Sequence, residues 1–177
     1  QNKPEPADPM PATPGSWWVY DSYSINNKDT SYLYNDSIYV MSDTLIRGKQ
    51  YRHLSASRFW GDRNIYRDSA GFIVNWNGDI IYSATDFKDT LTRDTSLLPN
   101  ILIISKMGQP DSVVHVPAGD FKTNSHLWEG IDYRNSRITY SRQCYANKLG
   151  LVYELIGYSS IPDGFTERVL ARYYIAP

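Results

Sequence analysis

The chain has 177 residues, with 18 Lys and Arg against 19 Asp and Glu, for a formal net charge of −1. That length suits one domain plus a tail, and it buries enough surface to fold without a disulfide or a metal. The balanced charge, with no run of five like charges, offers no basic face for a nucleic acid, and no stretch approaches the roughly 18 apolar residues of a membrane-spanning helix.

The aromatic content is 14%, carried largely by 15 Tyr and 5 Trp, which favours strands and half-wet surfaces. The chain begins Gln1-Asn2-Lys3-Pro4 without an initiator Met or a signal peptide, which is expected of a processed form. Residues 1–15 hold Pro4, Pro6, Pro9, Pro11 and Pro14 and end in Gly15. They read as an extended linker reaching roughly 45 Å at about 3.1 Å per residue, a spacer ahead of one all-β domain over 16–177.

Within that domain Trp17, Val19, Tyr23 and Ile25 are expected to share one strand face. A turn at Asn26-Asn27-Lys28-Asp29 leads into a strand from Tyr32 to Met41, and Arg47-Gly48-Lys49 turns into a polar strand at 51–57, at a sheet edge or wet on one side. Ile65-Tyr66-Arg67, the turn Asp68-Ser69-Ala70-Gly71 and the hairpin Phe72–Tyr82 make a meander. Asn77-Gly78 is the preferred pair for a two-residue type I′ loop, which sets Trp76 opposite Asp79, Val74 opposite Ile81 and Ile73 opposite Tyr82.

Residues 86–100 are polar and read as a solvated loop, since Asp86, Asp89 and Asp94 lack calcium-loop spacing. Ile101-Leu102-Ile103-Ile104 reads as a buried strand. In Val113–Thr123, Pro117 and Gly119 fit positions i+1 and i+3 of a type I turn. A three-residue loop there would leave neither face cleanly apolar, so a bulged corner is expected. Arg137–Cys144 places Ile138, Tyr140 and Cys144 together on a buried face, with Cys144, the only cysteine, as a small hydrophobe. The last strand has an apolar face of Phe165, Val169, Ala171, Tyr173 and Ile175. With about ten to twelve short strands and little helix, the fold class is all-β: one antiparallel β-barrel or strongly curved half-barrel.

Val116-Pro117-Ala118-Gly119-Asp120-Phe121-Lys122-Thr123, with Tyr145-Ala146 and Gly150-Leu151-Val152-Tyr153-Glu154, resembles a group of uncharacterised exported lipoproteins of the Bacteroidetes. The likeness covers mainly residues 113–160, and Asp120 stands where a small hydroxyl residue is usual in the motif. It implies a lipid-modified Cys ahead of Gln1, a spacer and one all-β domain, lipid-anchored outside the cytoplasm at the bacterial outer membrane. It supplies no catalytic or binding residues.

His53, His115 and His126 form no metal-ligand pattern, and the sequence holds no nucleophile elbow, phosphate loop or dinucleotide fingerprint. No catalytic residue, cofactor or metal site is therefore expected. Trp60, Trp128 and Tyr133 lie near predicted turns or beside charges and are the candidate ligand-binding residues, able to stack on a sugar or grip a peptide if exposed together. The expectation is a non-enzymatic envelope lipoprotein domain, structural or holding an apolar or amphipathic ligand such as a lipid. The rival is a carbohydrate-binding module using exposed aromatics, with a hydrolase third. A cavity lined by Phe72, Val74, Ile103 and Tyr173 would favour the lipid, and an outer row of Trp and Tyr the sugar.

Overall fold

The structure, a computed structural model, describes residues 10, 13–27, 29–55, 65–95, 100–158 and 163–177. Among them are thirteen strands and no helix: β1 (Trp17–Asn26), β2 (Asp29–Ile46), β3 (Lys49–Leu54), β4 (Ile65–Ser69), β5 (Phe72–Asn75), β6 (Ile80–Ser83), β7 (Thr90–Asp94), β8 (Ile101–Met107), β9 (Ser112–Val116), β10 (Gly119–Asp132), β11 (Arg137–Ala146), β12 (Gly150–Gly157) and β13 (Gly164–Tyr174). The expected antiparallel barrel is what forms. Its strand order is β6-β5-β4-β3-β2-β1-β13-β12-β11-β10-β8-β7, with β9 pairing to β10. Two meanders are thus joined through β1 and β13, and the ring is left almost closed where β6 meets β7. Two sequence readings change here. Of the two expectations for the polar strand after Gly48, the sheet edge is ruled out, because β3 is flanked by β2 and β4. The polar stretch 86–100 contains β7, which one apolar residue, Leu91, could not announce, but which pairs along β8.

Turn chemistry sets two registers that matter later. The Ala70-Gly71 turn joins β4 to β5 as expected, with φ of 56° and 88° at the two residues. The next hairpin departs from the type I′ loop: Asn75 Oδ1 accepts hydrogen bonds from the Asn77 and Asp79 amides at 3.0 and 2.9 Å. Its Nδ2 donates to Asp79 Oδ2 at 2.9 Å. This side chain converts the loop to three residues, Trp76-Asn77-Gly78, with Gly78 at φ 100°. Ile73 stays opposite Tyr82, but a register shift sets Val74 opposite Ile80 instead of Ile81. A strand with one extra residue can aim two neighbours the same way, and both Ile80 and Ile81 line the same cleft. We expect Asn75→Ala to cost about 1 kcal/mol in urea unfolding, while Asn77→Ala leaves stability unchanged.

The Val113–Thr123 stretch is a regular hairpin, not a bulged corner. Pro117-Ala118 is a two-residue loop, Val116 opposes Gly119 and Val114 opposes Phe121 without a register shift. Gly119 takes φ 134°, a region that L side chains avoid. One residue less in the loop restores clean alternation: Val114, Val116 and Phe121 pack towards the core, and Val113, His115, Asp120 and Lys122 face water. The Ala118 amide donates to the Leu170 carbonyl at 3.0 Å, and Phe121 meets Tyr173 edge to face at 6.1 Å. The hairpin is therefore pinned onto β13.

Three strands present the opposite face to the one their apolar residues suggest. In β1 the inward residues are Trp18, Tyr20 and Ser22, while Trp17 is exposed. The polar tips of Trp18 and Tyr20 are satisfied inside, by the Leu149 carbonyl at 2.7 Å and the Leu151 carbonyl at 2.9 Å. In β13 the inward residues are Thr166, Arg168 and Leu170, and Phe165, Val169 and Ala171 are only half-buried. In β11 Gln143 and Tyr145 are buried, Ile138 and Tyr140 are exposed, and Cys144 is fully buried as expected. The barrel interior is apolar at one end, around Trp18, Ile38, Leu54, Ile73, Tyr82 and Leu170, and polar towards Arg168.

Candidate functional site: a cleft at the open seam

A ring of twelve strands is wider than side chains alone readily fill, so its interior must hold long buried groups, a cavity or both. This barrel has both. The buried group is Arg168, which is 0% exposed. Its guanidinium donates from one terminal nitrogen to Glu154 Oε2 at 3.0 Å and from the other to Asp36 Oδ2 at 3.2 Å, and it lies 4.6 Å from the centre of the Tyr20 ring. Gln143 donates to Glu154 Oε1 at 2.7 Å and accepts from the Tyr145 hydroxyl at 3.1 Å. Burial pushes the Glu154 carboxyl up from its ordinary range, with Arg168 and Gln143 pulling it back. Burial likewise holds the Tyr20 and Tyr145 phenols protonated.

Beyond Gln143 the interior opens. A cleft of about 690 Å³ lies between the unpaired edges of β6 and β7, lined by Ile80, Ile81, Leu91, Thr92, Ile103, Ser105, His126 and Trp128, with Asn75, Asp79, Arg93 and Asp94 also in its wall. A second cavity of about 160 Å³ shares Ile103 and Trp128 with it and continues to Gly130, Asp132, Thr139, Ser141 and Gly157. The space follows from residue sizes. Trp128 stands opposite Ser141 on β11 and opposite Ser105 on β8, so its neighbours are too small to fill the ring beside it. At Gly157 a Cβ would sit 2.5 Å from the Tyr140 carbonyl oxygen, so the close approach of β12 to β11 requires glycine.

His126 is the notable group in that wall. It is 1% exposed, its ring meets Trp128 edge to face at 5.1 Å, and neither ring nitrogen has a hydrogen-bond partner among the described residues. Gln143, its cross-strand neighbour, is engaged by Glu154 and Tyr145. Burial pushes the imidazole pKa down to about 4, and the Gln143 amide opposes that shift from short of hydrogen-bonding geometry. The ring is therefore neutral at physiological pH, with one donor and one acceptor nitrogen. The Thr92 and Ser105 hydroxyls hydrogen-bond each other at 2.7 Å in the same wall. Asp132 in the second cavity is held by Arg134 at 2.7 and 2.9 Å, which keeps its carboxyl at about 2.

Of the three residues singled out from sequence, Trp128 lines the cleft. Tyr133 is exposed on the β10–β11 loop, where its amide donates to the Asn100 carbonyl at 2.9 Å, and Trp60 lies outside the described residues. Tyr133 is not among the residues lining the two cavities that Trp128 borders. Of Phe72, Val74, Ile103 and Tyr173, Ile103 lines the cleft, whereas Val74 is buried and Tyr173 is exposed against Phe121. In the sequence His126 is one of three histidines that form no metal-ligand pattern. The signal in reach was its even-numbered spacing with Trp128 on β10, which puts both on one face.

Cys144 sits where burial disfavours its thiolate. It lies 3.9 Å from Ser125 Oγ, and burial pushes its thiol up. His115 pairs with Asp120 at 2.7 Å on the exposed hairpin, away from the buried His126.

No family model matches the sequence, and no curated protein matches it. Two solved structures resemble it in fold. One is a protein of Bacteroides fragilis described as a "putative exported protein with YmcC-like fold", with a TM-score of 0.52 at 14% identity over 93% of this chain and 98% of its own. The chain shares that fold. The other is a "putative lipoprotein" of Parabacteroides distasonis, with a TM-score of 0.51 at 12% identity, covering 96% of this chain and 100% of its own. The likeness in fold thus extends over nine-tenths or more of the chain in both cases.

Proposed function

We propose that this chain is a non-enzymatic binding domain of the cell envelope that holds an amphipathic ligand in the seam cleft. The observation that carries the reading is a cleft of about 690 Å³ whose wall sets Ile80, Ile81, Leu91, Ile103 and Trp128 beside a buried, unpartnered His126. Aliphatic wall takes an apolar chain, and a buried imidazole takes a polar end. The two structural neighbours, an exported protein and a lipoprotein by description, support an exported setting. The Pro-rich residues 1–15 are the tether, following a lipidated Cys ahead of Gln1, with Met10 resting against the barrel core. The anchored face is the outer membrane.

A second reading has its own observation. Tyr39, Trp17 and Tyr174 stand directly opposite one another across β2, β1 and β13, all exposed, with the Trp17 and Tyr174 rings stacked at 6.3 Å. Such a row fits sugar rings, as in a carbohydrate-binding module.

Native mass spectrometry of protein purified from its host separates the two. We expect a retained amphiphile whose loss follows Trp128→Ala. A retained oligosaccharide lost with Trp17→Ala would instead support the outer row. A bare protein that also ignores added medium-chain lipids would overturn the cleft reading.

A further inference from the structure

We propose that His126 selects the ligand's polar end, and that this end is an uncharged group with both a donor and an acceptor, such as the glycerol hydroxyls of a monoacylglycerol. This rests on the cleft reading above and narrows it. His126 presents two unpartnered ring nitrogens in a wall it shares with Trp128, Ser105 and Thr92. A buried donor and acceptor left unpaired are costly, so the occupant that relieves both is favoured over one that relieves one.

The charges around the cleft argue for neutrality. Asp79 and Asp94 lie in its wall, and Arg93 is the cation there, with an exposed side chain. On the far side of His126, Gln143 leads to Glu154, whose charge Arg168 already engages together with Asp36. A carboxylate head would enter a wall holding two carboxylates, where the one cation among the described lining residues, Arg93, has an exposed side chain. The imidazole itself stays neutral when buried. A quaternary ammonium head would find the acidic rim but could neither donate to nor accept from His126. A hydroxylated head does both, and the Thr92–Ser105 hydroxyl pair extends the same hydrogen-bonding wall.

The test uses three probes with one chain length and different heads: monodecanoylglycerol, decanoate and decyltrimethylammonium. Each is titrated calorimetrically below micelle formation, near neutral pH, into the full chain and into His126→Leu and His126→Gln. The expected order puts monodecanoylglycerol about tenfold or more ahead of both ions. His126→Leu should weaken it about tenfold and erase the preference, and His126→Gln, whose amide keeps a donor and an acceptor, should restore much of it. Decanoate binding as tightly as the glyceride, or His126→Leu binding it unchanged, would overturn the inference while leaving the cleft reading in place. If none of the three binds, the cleft reading fails with it. The order among probes on the native chain stays decisive if His126→Leu does not fold.

Discussion

Replacing Arg168 with Met should cost about 3–5 kcal/mol of stability near pH 8, a large share of what a domain of this size has. The side chain is 0% exposed and is the counter-charge to two carboxylates. A methionine of similar length fills the space but leaves Glu154 and Asp36 facing each other in the interior, against the Tyr20 ring. Glu154 makes the cost depend on pH. Burial already raises its carboxyl above the unfolded value, and Arg168 is the largest influence opposing that rise. Without the guanidinium the folded value goes higher still. A carboxyl raised in the folded state binds its proton more tightly there. The stability it contributes is complete below the unfolded pKa and is lost as pH rises through the folded one. The penalty of Arg168→Met should therefore shrink at about pH 5 and grow towards about pH 8. Urea unfolding of both proteins at the two pH values checks this. A variant within about 1 kcal/mol of wild type near pH 8 would show that the triad is not holding the barrel.

Leu170→Ala should cost about 2–5 kcal/mol, against about 1 kcal/mol for Val169→Ala one residue away. Leu170 is fully buried, opposite Tyr20 across the β1–β13 pair. Its carbonyl also receives the Ala118 amide, so a collapse around the lost side chain would disturb the hairpin seat. Val169 faces the other way and is half-buried. Denaturant midpoints of the two variants measure the contrast, and equal losses would mean the inward face of β13 has been misassigned.

That contrast marks where the sequence stops being legible. Strand positions could be read because alternation, Asn-Gly and Pro-Ala-Gly are local signals. Which face turns inward does not follow from apolar character on these strands: Trp17 on β1 and Ile138 and Tyr140 on β11 are exposed, and Phe165, Val169 and Ala171 on β13 are only half-buried. The interior at Arg168 is polar, and its cost is met by Glu154, Asp36, Gln143 and Tyr20, which come from β12, β2, β11 and β1. No local pattern announces a partnership between residues 132 positions apart, as Arg168 and Asp36 are.

The cleft was half legible. Trp128 was singled out for standing outside clean alternation, and it does line the space. Its neighbours were hidden for separate reasons. β7 has too few apolar residues to read as a strand, and the bulge that turns Ile80 and Ile81 the same way depends on one Asn75 side chain. Tyr133 sits on a loop, where proximity in sequence to Trp128 does not become proximity in a cavity.

The seam also says something about how the chain comes together. β6 and β7 are neighbours in sequence yet form no ladder, whereas the ring is held shut by β1 and β13, with Trp17 opposite Tyr174. Almost every other pairing is between consecutive strands and closes a short loop. The one ladder that joins the two meanders is also the pairing of longest sequence separation, the kind whose loop entropy must be met before it contributes. The termini are tied there as well, since the Ala176 amide donates to Ser16 Oγ at 3.0 Å. A break in the chain between β6 and β7 would sever no strand pair, while loosening its two ends would let the two meanders part.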